Sequence, residues 1–135
     1  MADKLRMTAF IEAPAAEIYA SLLDSVGHAA MTGAPAEVDA NIGGRFTAWG
    51  GYIEGTTTAL ESGRRIVQTW RTSDFPAGSP DSILEILLDS AEGGTSVTIV
   101  HTNIPKGQGK NYKKGWEEYY FAPMREWAVG SSPTR

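Results

Sequence analysis

From Gly43 to Asn103 the chain alternates with a period of two almost without a break, and glycine-bearing turns cut the alternation into strand lengths. Successive side chains of a strand point to opposite faces, so a long stretch of this kind reads as antiparallel sheet and little else. The segments are Arg45 to Trp49, Tyr52 to Glu61, Arg65 to Thr72, Ser82 to Asp89 and Thr95 to Asn103. Gly43-Gly44 opens the series as a turn or bulge, and Gly50-Gly51 has the make-up of a two-residue hairpin turn. Ser62-Gly63 turns the chain again. Asp74 to Asp81, with two prolines and a glycine, is a loop, and Glu92-Gly93-Gly94 joins the last two strands. Gly55, inside a threonine-rich strand, marks a kink or a close approach.

The flanks are of another kind. Leu5, Met7, Ala9 and Ile11 alternate and predict a first strand. Pro14 stands where a first helical residue tolerates proline, and Ile18, Tyr19, Leu22 and Leu23 follow at helical spacing. Gly27 to Pro35 reads as a short irregular helix and a loop, and Glu37 to Asn41 as a short strand. Pro105, Gly107 and Gly109 end the sheet. A helix is predicted from about Asn111 to Ala128, with Tyr112, Trp116, Tyr119, Tyr120 and Trp127 on one broad stripe. Pro123 should remove a hydrogen bond and kink it, and Gly130 to Arg135 should fray. The fold class is α+β: a curved antiparallel sheet of about six to seven strands around a long C-terminal helix, with one or two short helices after the first strand. Residues 1–135 are expected to form one domain with a core from about 5 to 128, long enough to bury roughly two-thirds of the unfolded surface.

Charge and residue usage exclude several functions. Twelve basic and sixteen acidic residues leave a net charge of −4. With no basic stripe there is nothing to neutralise phosphates, which argues against nucleic acid. The four lysines between Lys106 and Lys114 read as a solvated loop and helix start. There is no cysteine and there are only two histidines, so no transition-metal centre and no cofactor is expected; His28 reads as a surface residue. Gly43-Gly44 and Gly50-Gly51 lack the lysine and helix start of a phosphate loop. No apolar run reaches the ~18 residues of a membrane span, and the N-terminus has no apolar signal core. A cytoplasmic protein is expected.

Two groups of residues could carry function. Ile83, Glu85 and Leu87 share one strand face, and Val97, Ile99 and His101 share a face of the next. Centring the turn on Gly93 puts Glu85 opposite His101, a carboxylate–imidazole pair able to act as an acid–base unit or to anchor a polar ligand group. In that register Leu84, Ile86 and Leu88 form an exposed apolar stripe, which would be a homodimer or partner contact. In the other register those three face inward and Glu85 points to water. No nucleophile, orienting third residue or metal-ligand cluster accompanies the pair, which favours a non-enzymatic protein. The second group is Trp49, Gln68, Trp70, Trp116 and Tyr120. Aromatics on a sheet facing aromatics on a helix line a pocket or fill a core.

Gly43-Gly44-x-Phe46, Trp70-Arg71, Phe75-Pro76-x-Gly78, Gly94-Thr95, Ile104-Pro105 and Gly115-Trp116-x-x-Tyr119-Tyr120, in this order, resemble the helix-grip (START-like) superfamily. More narrowly, they are similar to the family of the C-terminal domain of the heat-shock protein 90 ATPase activator. The resemblance spans about Leu5 to Trp127. It implies a small apolar or amphipathic molecule held between sheet and helix, with Trp49, Gln68, Trp70, Glu85, His101, Trp116 and Tyr120 as the candidate ligand-binding residues. Two other readings follow from it: a co-chaperone-like interaction module acting on a chaperone ATPase, and a cyclase- or hydrolase-like enzyme using Glu85 and His101.

Overall fold

The computed structural model describes residues 2–131. Strand β1 (Asp3–Ile11) leads into helices α1 (Ala15–Leu22) and α2 (Ser25–Thr32). Six strands follow: β2 (Ala36–Val38), β3 (Arg45–Ala48), β4 (Ile53–Glu61), β5 (Arg65–Thr72), β6 (Ser82–Ala91) and β7 (Gly94–Ile104). The described residues end in helix α3 (Gly109–Trp116), a wide π-turn (Glu117–Phe121) and helix α4 (Ala122–Ser131). The seven strands form one antiparallel sheet in the order β1-β7-β6-β5-β4-β3-β2. This is the expected fold class. The part of the tail beyond 131 lies outside the described residues. Among them, no helix is long and apolar enough to cross a membrane.

Alternation decides which side chains go inside. Ala9, Ile11, Ile66, Trp70, Leu84, Ile86, Leu88, Val97 and Ile99 are buried on the concave face, against Ile18, Leu22 and Met31 of the short helices and Phe121, Met124 and Ala128 of the long one. Gly55 bends the sheet around this core. A Cβ at that position would lie 1.9 Å from the Thr69 carbonyl oxygen and 2.7 Å from the Phe46 ring, so no other residue fits without moving a strand.

The β6–β7 register corrects one expectation. The turn holds two residues, Glu92 and Gly93, with Ala91 opposite Gly94 and Gly93 at φ 82°. It is therefore not centred on Gly93, and every pair shifts by one. His101 stands opposite Leu84, and Glu85 opposite Val100. A slip of one residue turns a whole strand over. Glu85 points outward, where its carboxylate accepts from Arg65 Nε at 2.6 Å, and Leu84, Ile86 and Leu88 are buried. The expected Glu85–His101 pair and the expected exposed stripe for a homodimer are both absent.

Two further local expectations change. Gly50-Gly51 is not a two-residue turn: Ala48–Ile53 is the last pair of β3 and β4. Trp49, Gly50 and Gly51 all have positive φ, at 54°, 67° and 94°, so Trp49 leaves the strand and belongs to the connection. Pro123 sits second in α4, and the π-turn just before it absorbs the hydrogen bond that proline cannot make. That turn also keeps a face in register. Tyr112, Trp116, Tyr120, Met124 and Ala128 are all buried at spacings of four. In an unbroken α-helix this row would rotate by roughly 160°, and the wider turn takes part of that rotation back.

Candidate functional site

The sheet and the long helix part at one end, leaving a cavity of about 480 Å³. The β3–β4 connection supplies Trp49 and Tyr52, the start of β4 supplies Ile53, β5 supplies Trp70, and the helix supplies Asn111, Tyr112, Gly115, Trp116, Tyr119 and Tyr120. Six of these ten are tyrosine or tryptophan on the outer walls, Trp70 forms the floor, and none carries a charge. Rings meet in two groups, Trp49 with Tyr119 and Trp70 with Tyr112, Trp116 and Tyr120. Trp49 packs edge-on to Tyr119 with centroids 5.2 Å apart, Trp116 lies 4.7 Å from Tyr120, and Trp70 stands edge-on to Tyr112 at 5.0 Å. Edge-to-face packing at these distances adds to what burial alone contributes. Gly115 keeps the helix wall low, since a Cβ there would meet only Tyr119 Cδ2 at 3.8 Å.

Trp49 is held at a cost. A bulky residue at positive φ is strained by about 1–2 kcal/mol, and its indole Nε1 is buried beside Tyr120 without a hydrogen bond of good geometry. The hydroxyls of Tyr52 and Tyr112 are committed elsewhere. Tyr52 donates to Asp74 Oδ2 at 2.6 Å, and Tyr112 donates to Gln108 Oε1 at 2.7 Å. The Thr72 hydroxyl lies 2.6 Å from the Tyr112 oxygen; since Tyr112 gives its proton to Gln108, Thr72 is the donor in that contact. Burial, and then the Asp74 carboxylate, push the Tyr52 pKa up to about 12, and burial raises Tyr112. Both phenols therefore stay neutral at any ordinary pH.

Behind the floor lies His101, fully buried. Trp116 Nε1 donates to its Nδ1 at 3.1 Å, so the proton of a neutral ring must sit on Nε2, 2.8 Å from Ser82 Oγ. Ser82 in turn donates to the Trp70 carbonyl at 2.6 Å. Every donor and acceptor in this chain is used. Burial pulls the His101 pKa down to about 3, and a protonated ring would set two donors against each other at Trp116. His101 is thus a fixed neutral strut that orients Trp116 and Trp70, with no free nitrogen for acid–base chemistry.

A second, inner space of about 20 Å³ lies between the concave sheet and the helices, room for about one water molecule. Gln68 faces it, with Nε2 3.3 Å from Thr57 Oγ1. So does His28, which is buried in the protein and not at its surface as expected. Its Nδ1 lies 3.1 Å from the Leu22 carbonyl, which can only accept, so Nε2 is the acceptor for the Tyr120 hydroxyl at 3.0 Å. Burial lowers the His28 pKa and raises that of Tyr120.

The seven candidate residues therefore divide. Trp49, Trp70, Trp116 and Tyr120 line the aromatic cavity. Gln68 faces the inner space, His101 supports the floor from behind, and Glu85 lies on the opposite face of the sheet. Tyr52, Ile53, Asn111, Tyr112, Gly115 and Tyr119 complete the cavity, and His28 backs it; none of them is among the candidate ligand-binding residues read from the sequence. Tyr52 and Gly115 had signals, one directly after a double-glycine turn and the other a glycine inside an aromatic helix stripe.

A family model described as "Activator of Hsp90 ATPase homolog 1-like protein" matches residues 12–127. An uncharacterized protein of Schizosaccharomyces pombe is 32% identical over 114 residues, covering 84% of this chain and 34% of that protein. The activator of 90 kDa heat shock protein ATPase homolog 1 of Homo sapiens is 31% identical over 97 residues, 72% of this chain and 28% of that one. The chain thus spans about a third of the length of the curated relatives it matches. Among solved structures, an HSP90 activator from Plasmodium falciparum aligns with a TM-score of 0.81 at 24% identity, covering 94% of this chain and 96% of that one. A Chromobacterium violaceum protein aligns at 0.75 and 28% identity, over 93% and 96%. Ara h 8.0201, at 0.73 and 12% identity over 97% and 100%, shares the fold.

Proposed function

Because the chain belongs to the Activator of Hsp90 ATPase homolog 1-like family, whose fold grips a helix in a curved sheet, we propose that it binds a small, neutral, apolar or amphipathic molecule with an aromatic ring. The site is the cavity between the β3–β4 connection, Trp70 and the long helix. One observation carries this reading: a space of about 480 Å³ walled by aromatic rings, with no charged side chain on it. Pockets for small molecules have this size and this apolar lining. The strain at Trp49 supports a role beyond packing, since a solid core has no need of a tryptophan at positive φ. Trp49, Trp70, Trp116 and Tyr120 supply the contact area. Native mass spectrometry of the gently purified protein, compared with the same sample denatured, tests the reading. An excess mass below a kilodalton that is lost on denaturation is the expected result. A bare mass, together with no heat of binding for 2-naphthol in calorimetry, would overturn it.

A second reading has its own support. Relatives at about 30% identity carry the name of activators of the 90 kDa heat shock protein ATPase, so the same surface could meet a chaperone ATPase in place of a small molecule. ATP turnover by a heat-shock protein 90, measured with saturating amounts of this protein, separates the two. An unchanged rate removes the chaperone reading.

A further inference from the structure

The aromatic cavity and the inner space are neighbours divided by three side chains, for Trp70, Trp116 and Tyr120 line both. Their anchoring differs. Trp116 is tied to His101 through its indole nitrogen. Trp70 packs edge-on to the His101 ring at 4.5 Å and holds Ser82 through its carbonyl. Both are braced by the same buried imidazole. Tyr120 has a single hydrogen bond of good geometry, from its hydroxyl to His28 Nε2 at 3.0 Å. It also springs from the π-turn, the one stretch of the long helix without regular i to i−4 bonding, and such turns recur at functional sites. What lies behind it is a space ready to be enlarged: Phe46, Ile66 and Met124 form an apolar wall, and Gln68 and His28 supply polar atoms.

We infer that Tyr120 is the specificity-determining residue of the binding site: it admits a ring to the outer cavity and excludes any alkyl tail from the space behind. The inference rests on the ligand-binding reading above. The preferred ligand is then a compact neutral aromatic compound of one or two rings, and the length a ligand can reach inward is set by one side chain latched to His28.

The test is isothermal calorimetry with 2-naphthol and a series of 4-alkylphenols of rising chain length, on the full chain and on Tyr120→Ala. Tyr120→Leu, which keeps a good helix former and more of the volume, serves if the alanine variant does not fold, and near-ultraviolet circular dichroism checks each. In the unaltered protein 2-naphthol should bind, and alkylphenol affinity should change less than about twofold from the ethyl to the octyl compound. With Tyr120 shortened, affinity should climb by about fourfold per methylene over the first few carbons, the gain expected for burying each CH₂. Failure of every compound to bind the unaltered protein would overturn the ligand reading. Binding of 2-naphthol with the same dependence on chain length in all folded forms would leave that reading standing and overturn the gate.

Discussion

The indole nitrogen of Trp116 donates to Nδ1 of His101 at 3.1 Å, in a pocket where the imidazole has no exposed surface. The contact fixes the ring as a neutral Nε2–H tautomer, and burial carries its pKa from 6.5 down to about 3. The folded chain therefore refuses a proton that the unfolded chain accepts. Stability is full above pH 6.5 and falls as pH drops toward 3, by about 1.4 kcal/mol per pH unit for one such group. His28, lowered in the same direction by burial, adds to the slope. Urea unfolding between pH 7.5 and 4.5 should show a plateau followed by this decline. His101→Gln should remove the share of the slope that belongs to one proton; an undiminished slope in that variant would place the titration elsewhere.

Gly55 and Gly43 make a contrast. A Cβ on Gly55 collides with the Thr69 carbonyl, while one on Gly43 meets nothing within 4 Å and faces only the strain of φ 87°. Gly43→Ala should destabilise by about 1 kcal/mol. Gly55→Ala should exceed about 3 kcal/mol or prevent folding, since backbone has to move. Denaturant midpoints of the two variants decide, and equal losses would mean that β4 and β5 separate easily.

The strands and the gripped helix were legible because alternation and turn chemistry are local. Trp70, Trp116 and Tyr120 could be placed because strand parity and a four-residue helix spacing fix their faces. The position of Glu85 could not. It hung on whether the β6–β7 turn held two or three residues, and Glu92-Gly93-Gly94 suits both. His28 was misread for another reason. Its partners, the Leu22 carbonyl and Tyr120, lie 6 and 92 residues away, and no local pattern announces such a contact. The π-turn shows the same limit. Pro123 signals a broken bond, but whether the helix kinks or widens depends on the buried row that Tyr120 and Met124 must keep.

Glu85 offers a clean control on the site. Its carboxylate pairs with Arg65 on the convex face, and the cavity wall lies on the other side of the sheet. Glu85→Gln should leave the affinity for 2-naphthol unchanged and move the unfolding midpoint little, because ion pairs that water reaches contribute little. Loss of binding in that variant would put the ligand on the outer face and contradict the placement of the cavity.

Gly115 separates binding from stability most sharply. It is a glycine within a helix, where alanine is favoured by about 0.8–1 kcal/mol, and a Cβ there has open space apart from Tyr119 Cδ2 at 3.8 Å. Gly115→Ala should therefore stabilise the protein by up to that amount. Gly115→Leu should fold as well, since the added atoms enter the cavity rather than the packed core. Those same atoms occupy the space a ring would take, so 2-naphthol binding should fall at least tenfold. Thermal unfolding and calorimetry on the three proteins give the answer. A leucine variant that is stable and still binds at full strength would show that the aromatic cavity is not where the ligand sits. A leucine variant that fails to fold would show that the helix closes over the cavity, and that its rings are core.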